Sequence, residues 1–267
     1  MSGTEGVRPD TAAQPDVVQS LVRGLAVIRA FDAEHPLLTL SEVARRTGVP
    51  AAAARRFLQT LESLGYVRHR VAGTKRFELT PKVLELGFGY LSALSLPEIM
   101  QPHLEALSQQ TGESVSAAVL SGPDIVYVAR VPTRRIMSVR ITIGTSFPAY
   151  ATSMGRVLLA SLTESELEDA LAATDFEQLT AETLTEAAAL RDELARVRQQ
   201  GWCIVDGELE AGLRSVSVPV RGRDGSIPVA LNVSTSATRD SIDDIRTQHL
   251  PLALEAARAI EAELRLY

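Results

Sequence analysis

The chain has one cysteine, Cys203, in 267 residues. A lone thiol excludes an internal disulfide framework and fits a reducing cytoplasm. Beside Trp202, with no base nearby in sequence, Cys203 reads as a core residue. Histidine is also scarce. His35, His69, His103 and His249 are scattered, and none stands at metal-ligand spacing from a Cys or another His, so no metal or other cofactor is expected. Only Lys75 and Lys82 are lysines, so nearly all positive charge is arginine, whose planar fork suits phosphate and guanine edges. No run of about 18 uncharged apolar residues exists, which argues against a transmembrane helix. The opening "MSGTEGVRPDTAAQPDVVQS" lacks the apolar core of a secretory signal, and residues 1–17 read as a disordered lead. Neither GxSxG nor GxxxxGK[ST] occurs, and no Ser/His/Asp set stands out, so an enzyme reading has no motif behind it. There is no internal repeat.

What is present divides unevenly. The apolar fraction is 45%, enough to bury the core of one large domain or two ordinary ones. Net charge is −6, yet residues 1–95 carry 12 Lys+Arg against 9 Asp+Glu, while residues 96–267 carry 15 against 24. Within residues 41–76 there are eight basic side chains and two acidic ones. A basic module tied to an acidic remainder points to a polyanionic partner for the former.

In the basic module, "SLVRGLAVIRAFD" (20–32) places Leu21, Leu25, Ile28 and Phe31 on one face of an amphipathic helix. "LLTLSEVARRTGVP" predicts a short helix capped by Thr39 or Ser41 and broken at Gly48. A third helix is expected from about Pro50 to Leu64, ended by Gly65. Its predicted buried stripe is Ala54, Phe57, Leu58, Leu61 and Leu64, with Ala52, Arg55, Arg56 and Gln59 opposite. Tyr66-Val67 and Phe77-Leu79 then flank a turn at Ala72-Gly73-Thr74, which predicts a β-hairpin with Arg68, Arg70, Lys75 and Arg76 about its arms and tip. Three helices and a basic hairpin make a winged helix-turn-helix, over residues 18–80. Residues 81–95 predict a linker helix that is apolar on several faces, through Leu84, Leu86, Phe88, Tyr90 and Leu91. From 96 to 267 the pattern mixes helices ("LPEIMQPHLEALSQQTGE", "SMGRVLLASL", 163–200, 241–265) with strands ("SVSAAVL", "DIVYVARV", "MSVRITI", "WCIVD", "LRSVSVPV", "IPVALNVS"). It predicts an α+β domain with a mixed sheet.

Three blocks resemble the IclR family of bacterial transcriptional regulators: "SLVRGLAVIRAF…TLSEVARRTGVPAAAARRFLQTLESLGYV", "GTSFPAYATSMGRVLLASL" and "GWCIVDGELEAGLRSVSVPV". Their order and spacing cover about residues 18–265. "RGLAVIRAFD", "AARRFL", "LPEIMQPHLEAL" and "IVYVARVPTRRIMSV" are most similar to the subgroup controlling aromatic-acid catabolism through the β-ketoadipate pathway. The resemblance implies a winged helix-turn-helix, a linker helix, a C-terminal GAF-like effector-binding domain, and assembly as a homodimer or dimer of dimers.

On that reading the partner of the basic module is double-stranded operator DNA. Ala51, Ala52 and Ala53 let the helix start approach base edges in the major groove. Arg55, Arg56 and Gln59 follow one turn on, and Arg68, Arg70, Lys75 and Arg76 would meet phosphate or a minor groove. Arg45 and Arg46, one helix earlier, suit solvated or phosphate contacts as well as base reading. The resemblance also implies an effector site of Ser153, Met154, Asp206, Ser215, Asn232 and Ser234, with the helix start at Ser153 attracting a carboxylate. Arg130, Arg134 and Arg135 suit a carboxylate clamp or a solvated loop. The implied effector is a small carboxylic acid of the β-ketoadipate or protocatechuate type. The non-enzymatic alternatives are a DNA-binding regulator of a different carbon-source pathway and a scaffold that binds DNA without sensing anything.

Overall fold

The computed structural model describes residues 17–32, 34–70, 75–87, 89, 96–133 and 141–266. Residues 1–16 of the expected lead, the hairpin tip 71–74, Phe88, Tyr90, Leu91, Arg134 and Arg135 lie outside them. The chain divides into two compact units that meet between residues 90 and 91.

In the first unit, α1 (Gln19–Arg29), α2 (Leu40–Thr47) and α3 (Ala51–Ser63) pack against a three-stranded sheet. Thr39 is the cap of α2. Its hydroxyl accepts the Glu42 N–H, and the Glu42 carboxylate accepts the Thr39 N–H at 2.7 Å, a reciprocal capping box. Gly48 closes α2 at φ 66°, a left-handed conformation that glycine adopts without steric cost. The inner stripe of α1 differs from the one expected. Val27, Ala30 and Phe31 are buried, while Leu21 and Leu25 are 62% and 49% exposed. Val27 lies about 200° round the helix from Leu25, so the two serve opposite faces. On α3, Ala54, Leu58 and Leu61 are buried as expected, but Leu64 is exposed because it follows the last helical turn. The hairpin consists of β2 (Val67–His69) and β3 (Arg76–Leu79), and β3 also pairs antiparallel with β1 (Leu38–Thr39). That two-residue strand lies directly before α2 and carries no periodicity of its own. In the linker, a 3₁₀ turn at Pro81–Val83 leads into helical residues 84–87, with Leu84 and Leu86 exposed.

The second unit is an antiparallel six-stranded sheet in the order β6-β5-β4-β9-β8-β7. Its strands are β4 (Ser114–Ser121), β5 (Asp124–Val131), β6 (Ser146–Pro148), β7 (Cys203–Asp206), β8 (Leu213–Val220) and β9 (Val229–Ser236). A mixed sheet was expected. Short loops join β4 to β5, β7 to β8 and β8 to β9, and links of that length admit only antiparallel neighbours. The expected strand "MSVRITI" falls mainly outside the described residues, and its end, Ile141–Ile143, is not extended into a strand. The edge strand is the short β6 instead.

Helices cover both faces. On one, α4 (Leu96–Thr111) and α8 (Leu250–Leu264) enclose a core that includes Leu104, Val115, Val216, Val233 and Ile260. Pro102 sits on the exposed side of α4, and the helix continues through it. On the other face lie α5 (Ser153–Leu159), α6 (Glu164–Ala172) and α7 (Ala187–Gln200), with Leu158, Leu171, Leu190 and Leu194 buried. The stretch 163–200, expected to be helical, holds the two helices α6 and α7. Residues 173–186 between them form a threonine-pinned loop: the Thr180 hydroxyl donates to the Gly207 carbonyl at 2.8 Å, and that of Thr183 donates to the Glu208 carbonyl at 2.7 Å.

Candidate DNA-binding face and effector pocket

The start of α3 presents Ala51 and Ala52 exposed and Ala53 half-buried, with Arg55, Arg56 and Gln59 exposed beyond them. Among the described residues Arg55 and Arg56 form no ion pair, so both guanidiniums are available to an outside anion. The wing differs in detail. Arg70, Lys75 and Arg76 are exposed. Arg68 is exposed too, but its Nε donates to Glu78 across the hairpin at 2.8 Å, which offsets part of its charge. Arg46 is engaged within the protein, donating to Asp32 at 2.6 Å, whereas Arg45 remains exposed.

The effector side is built from three tripeptides that look alike: Ser114-Val115-Ser116 on β4, Asn232-Val233-Ser234 on β9 and Ser215-Val216-Ser217 on β8. Strand residues alternate faces, and the register aligns the three. Val115 pairs with Val233, and Val233 with Val216, and all three enter the core under α4 and α8. The polar residues fall on the opposite face in two cross-strand rows. One is Arg130, Ser116, Asn232, Ser217; the other is Ser114, Ser234, Ser215. Ser153, at the start of α5, closes over them, with its Oγ 2.8 Å from that of Ser215 and 2.6 Å from that of Ser217. A cavity at this point is lined by Tyr127, Met154, Ser215, Asn232 and Ser234, with Ile141, Val205, Leu209 and Leu213 as apolar walls. Its volume is about 20 Å³, room for a single water. Any ligand larger than a water therefore needs this cavity to widen.

Five of the residues named from sequence thus meet: Ser153, Met154, Ser215, Asn232 and Ser234. Asp206 does not join them. It is exposed at the sheet edge, where Arg214 binds it through Nε at 2.7 Å and Nη2 at 3.0 Å. Arg130 lies on the same face two strands from Asn232, with Ser116 of β4 between them, and its Nη1 donates to Ser116 at 3.0 Å. Burial lowers its pKa. Burial also pushes the Tyr127 phenol up to about 12, so this wall stays a neutral hydroxyl. The helix-start argument for carboxylate binding weakens in the structure. α5 has only seven residues, and the Thr152 hydroxyl already accepts the Gly155 N–H at 3.0 Å.

Sequence reasoning passed over Ser116, Ser217, Tyr127 and the pair Arg156–Glu208. The repeated polar-Val-polar pattern could have found the serines. Arg156 is 2% exposed; Nη1 donates to Glu208 at 2.7 Å and Nε to the Tyr150 carbonyl at 2.8 Å. Glu208 in turn accepts the Leu184 N–H at 3.0 Å. This pair ties α5, which carries Ser153, to the loop that carries Leu209.

Cys203 is buried, and burial pushes its thiol from 9.0 up to about 12. Because the folded-state value is the higher one, the stabilisation is complete below about pH 9 and is lost as pH rises towards 12. Ellman's reagent at about pH 8 should find no reactive thiol in the folded chain and one per chain in denaturant. Rapid reaction of the native protein would contradict the burial.

A helical trio with a basic wing, joined to a sheet domain with a polar-floored pocket, defines a DNA-binding regulator with an effector-binding domain. The family model "IclR helix-turn-helix domain" matches residues 20–70, and "Bacterial transcriptional regulator IclR C-terminal" matches residues 88–262. The chain belongs to the IclR family of transcriptional regulators. It is 43% identical to the Pca regulon regulatory protein of Pseudomonas putida over 91% of this chain and 83% of that protein. The crystal structure of RHA06195 from Rhodococcus sp. RHA1 is 53% identical, covers 94% of this chain and 99% of its own, and superposes with a TM-score of 0.80. A double mutant of the PobR inducer-binding domain from Acinetobacter, solved with 3-hydroxybenzoic acid, is 30% identical over 62% of this chain and 97% of its own, with a TM-score of 0.58.

Proposed function

We propose that this regulator controls the catabolism of aromatic acids in the cytoplasm. Residues 18–80 bind operator DNA, 81–95 link the halves, and 96–267 sense a small aromatic carboxylic acid. The observation that carries the sensing role is the convergence of Ser153, Ser215, Asn232 and Ser234, scattered over 82 residues of sequence, at one apolar-walled cavity. The 3-hydroxybenzoic acid complex of the Acinetobacter inducer-binding domain supports the ligand class. Arg55, Arg56 and Gln59 read bases; Arg70, Lys75 and Arg76 hold phosphate.

Titration of cognate and scrambled duplexes at several salt concentrations tests this. Arg55→Ala or Arg56→Ala should cost about 1–3 kcal/mol on the cognate site and relax preference at one base pair. Lys75→Ala or Arg76→Ala should weaken all sequences alike and reduce the salt slope by about one. Equal losses on both duplexes for the Arg55 and Arg56 variants would refute base reading. Protocatechuate should shift the cognate titration in the wild type and fail to do so with Ser153→Trp, since a ligand moves the equilibrium only through a preference for one state.

The assembly proposed is a homodimer or dimer of dimers. Val17, Val18, Leu21, Val22 and Leu25 are exposed along and just before α1, an apolar strip of the kind that marks an association surface. Light scattering at micromolar concentration should give at least twice the 28.8 kDa chain mass; a monomer would contradict the assembly.

A further inference from the structure

The stripe of α3 that carries Ala52, Arg55 and Gln59 ends in an acid. Glu62 follows at the same helical spacing and is exposed, on a face otherwise offered to a polyanion. Opposite it, on the wing, stands His69. Alternation along β2 turns His69 to the same side as the buried Val67, towards α3, while Arg68 between them faces away and is held by Glu78. The imidazole Nε2 lies 3.7 Å from Glu62 Oε1, close enough for an ion pair but too long for a hydrogen bond. The ring rests on Phe77, its register partner on β3, with centroids 4.2 Å apart. Its Nδ1 is buried and has no hydrogen-bond partner among the described residues. Glu62 and His69 share a groove of about 530 Å³ with Arg55, Gln59 and Lys75. From β1 and α2 this groove receives only Thr39, Leu40 and Ser41, none of them charged. The charges around the imidazole are therefore one carboxylate and two cations, and all of them line the surface between recognition helix and wing.

We propose that Glu62 and His69 belong to the DNA-binding face as a proton-dependent charge pair, so that the chain takes up protons when it binds DNA. This rests on the reading of α3 and the wing as the DNA-binding face, and it adds two residues that the charge pattern of the sequence did not single out. With His69 neutral, the Glu62 carboxylate opposes the phosphates, and the imidazole, out of hydrogen-bond range, does little to offset it. With His69 protonated, the imidazolium pairs with Glu62, and the groove gains one positive charge. Imidazole is the side chain that makes this change between about pH 5 and 8. In the free protein the second proton has a cost, because it leaves a buried ring N–H without an acceptor. The field of nearby phosphates offsets that cost only in the complex. DNA therefore raises the proton affinity of His69, and by linkage the proton raises the affinity for DNA. The sign follows: the added affinity is complete below the pH at which His69 titrates in the free protein, and it is lost as pH rises through the point at which His69 titrates in the complex. The effect is electrostatic, so it applies to any duplex sequence.

Titration of the full chain with a random-sequence duplex of about 30 base pairs, at about pH 6 and about pH 8 and several salt concentrations, tests the proposal. The wild type should bind about fivefold or more tightly at the lower pH. Its salt slope there should be steeper by about one. Calorimetry in two buffers of different ionisation heat should show net proton uptake on binding near neutral pH. His69→Gln should abolish the uptake and bind at both pH values as the wild type does at the higher one. His69→Lys, with a fixed charge, should bind tightly at both. Glu62→Gln should raise affinity at the higher pH and so narrow the difference. His35→Gln, which alters the other histidine of the first unit, should leave the pH profile as it is. Circular dichroism establishes that each variant is folded; if neither His69 variant folds, the proton uptake of the wild type and the response of Glu62→Gln decide. Equal wild-type affinity at the two pH values would overturn the proposal, and so would a pH profile that persists unchanged in His69→Gln. Absence of duplex binding at both pH values and low salt would instead remove the DNA-binding reading of α3 and the wing on which the proposal rests.

Discussion

Replacing Arg156 with alanine is expected to destabilise the second unit by about 3–5 kcal/mol, the usual consequence of stranding one member of a buried ion pair. Glu208 is 8% exposed, and without the guanidinium it would hold a charge with only the Leu184 N–H and little water to oppose it. The Tyr150 carbonyl would lose its donor as well. Functional consequences should follow the structural ones. Arg156 lies one turn after Ser153, and Glu208 directly precedes the pocket wall Leu209. The double variant Arg156→Met/Glu208→Leu should recover most of the stability, because well-packed apolar replacements of buried ion pairs are often neutral or better. Urea denaturation of the wild type, the single and the double variant measures both effects. A single variant within about 1 kcal/mol of wild type would show that the pair contributes no more than an exposed salt bridge.

Gly155→Ala is expected to have the second largest effect. A Cβ built on Gly155 would lie 2.1 Å from the Ala149 carbonyl oxygen and 2.4 Å from the Ala149 Cα, both backbone atoms that cannot rotate away. α5 must then lift from the 3₁₀ turn at Ala149–Ala151, at a cost of about 1–3 kcal/mol or more. Lifting α5 also moves Ser153 off Ser215 and Ser217, so effector affinity should fall by at least about tenfold while the first unit is untouched. Gly24→Ala is the contrasting substitution. Its Cβ would meet only Phe57 Cδ1 at an ordinary 3.9 Å within a helix, and stability should rise by about 0.5–1 kcal/mol. Thermal melts of the two variants, with calorimetry on the first, give the comparison. Unchanged melting and binding in Gly155→Ala would show that the turn yields easily.

The amino-acid sequence by itself determined the local elements and their charge. Thr39, Gly48 and Gly65 delimit the helices of the first unit because capping and left-handed φ depend on a few neighbouring atoms. The exposure of Arg55, Arg56 and Gln59 follows from helical spacing alone. Even the pocket floor was written locally, in three polar-Val-polar tripeptides whose alternation separates the core face from the pocket face. Tertiary structure alone decided which tripeptides stand side by side, since register depends on pairing between strands more than 90 residues apart. It placed Asp206 at the sheet edge with Arg214, although a residue at the end of β7 could equally have faced inward. It turned the inner face of α1 away from Leu21 and Leu25 towards Val27 while keeping the expected Phe31 buried just beyond the helix, because the neighbouring helices choose which apolar residues are covered. And it buried Arg156 in an apolar helix, where Glu208, 52 residues further along the chain, together with the Tyr150 carbonyl makes an internal guanidinium tolerable.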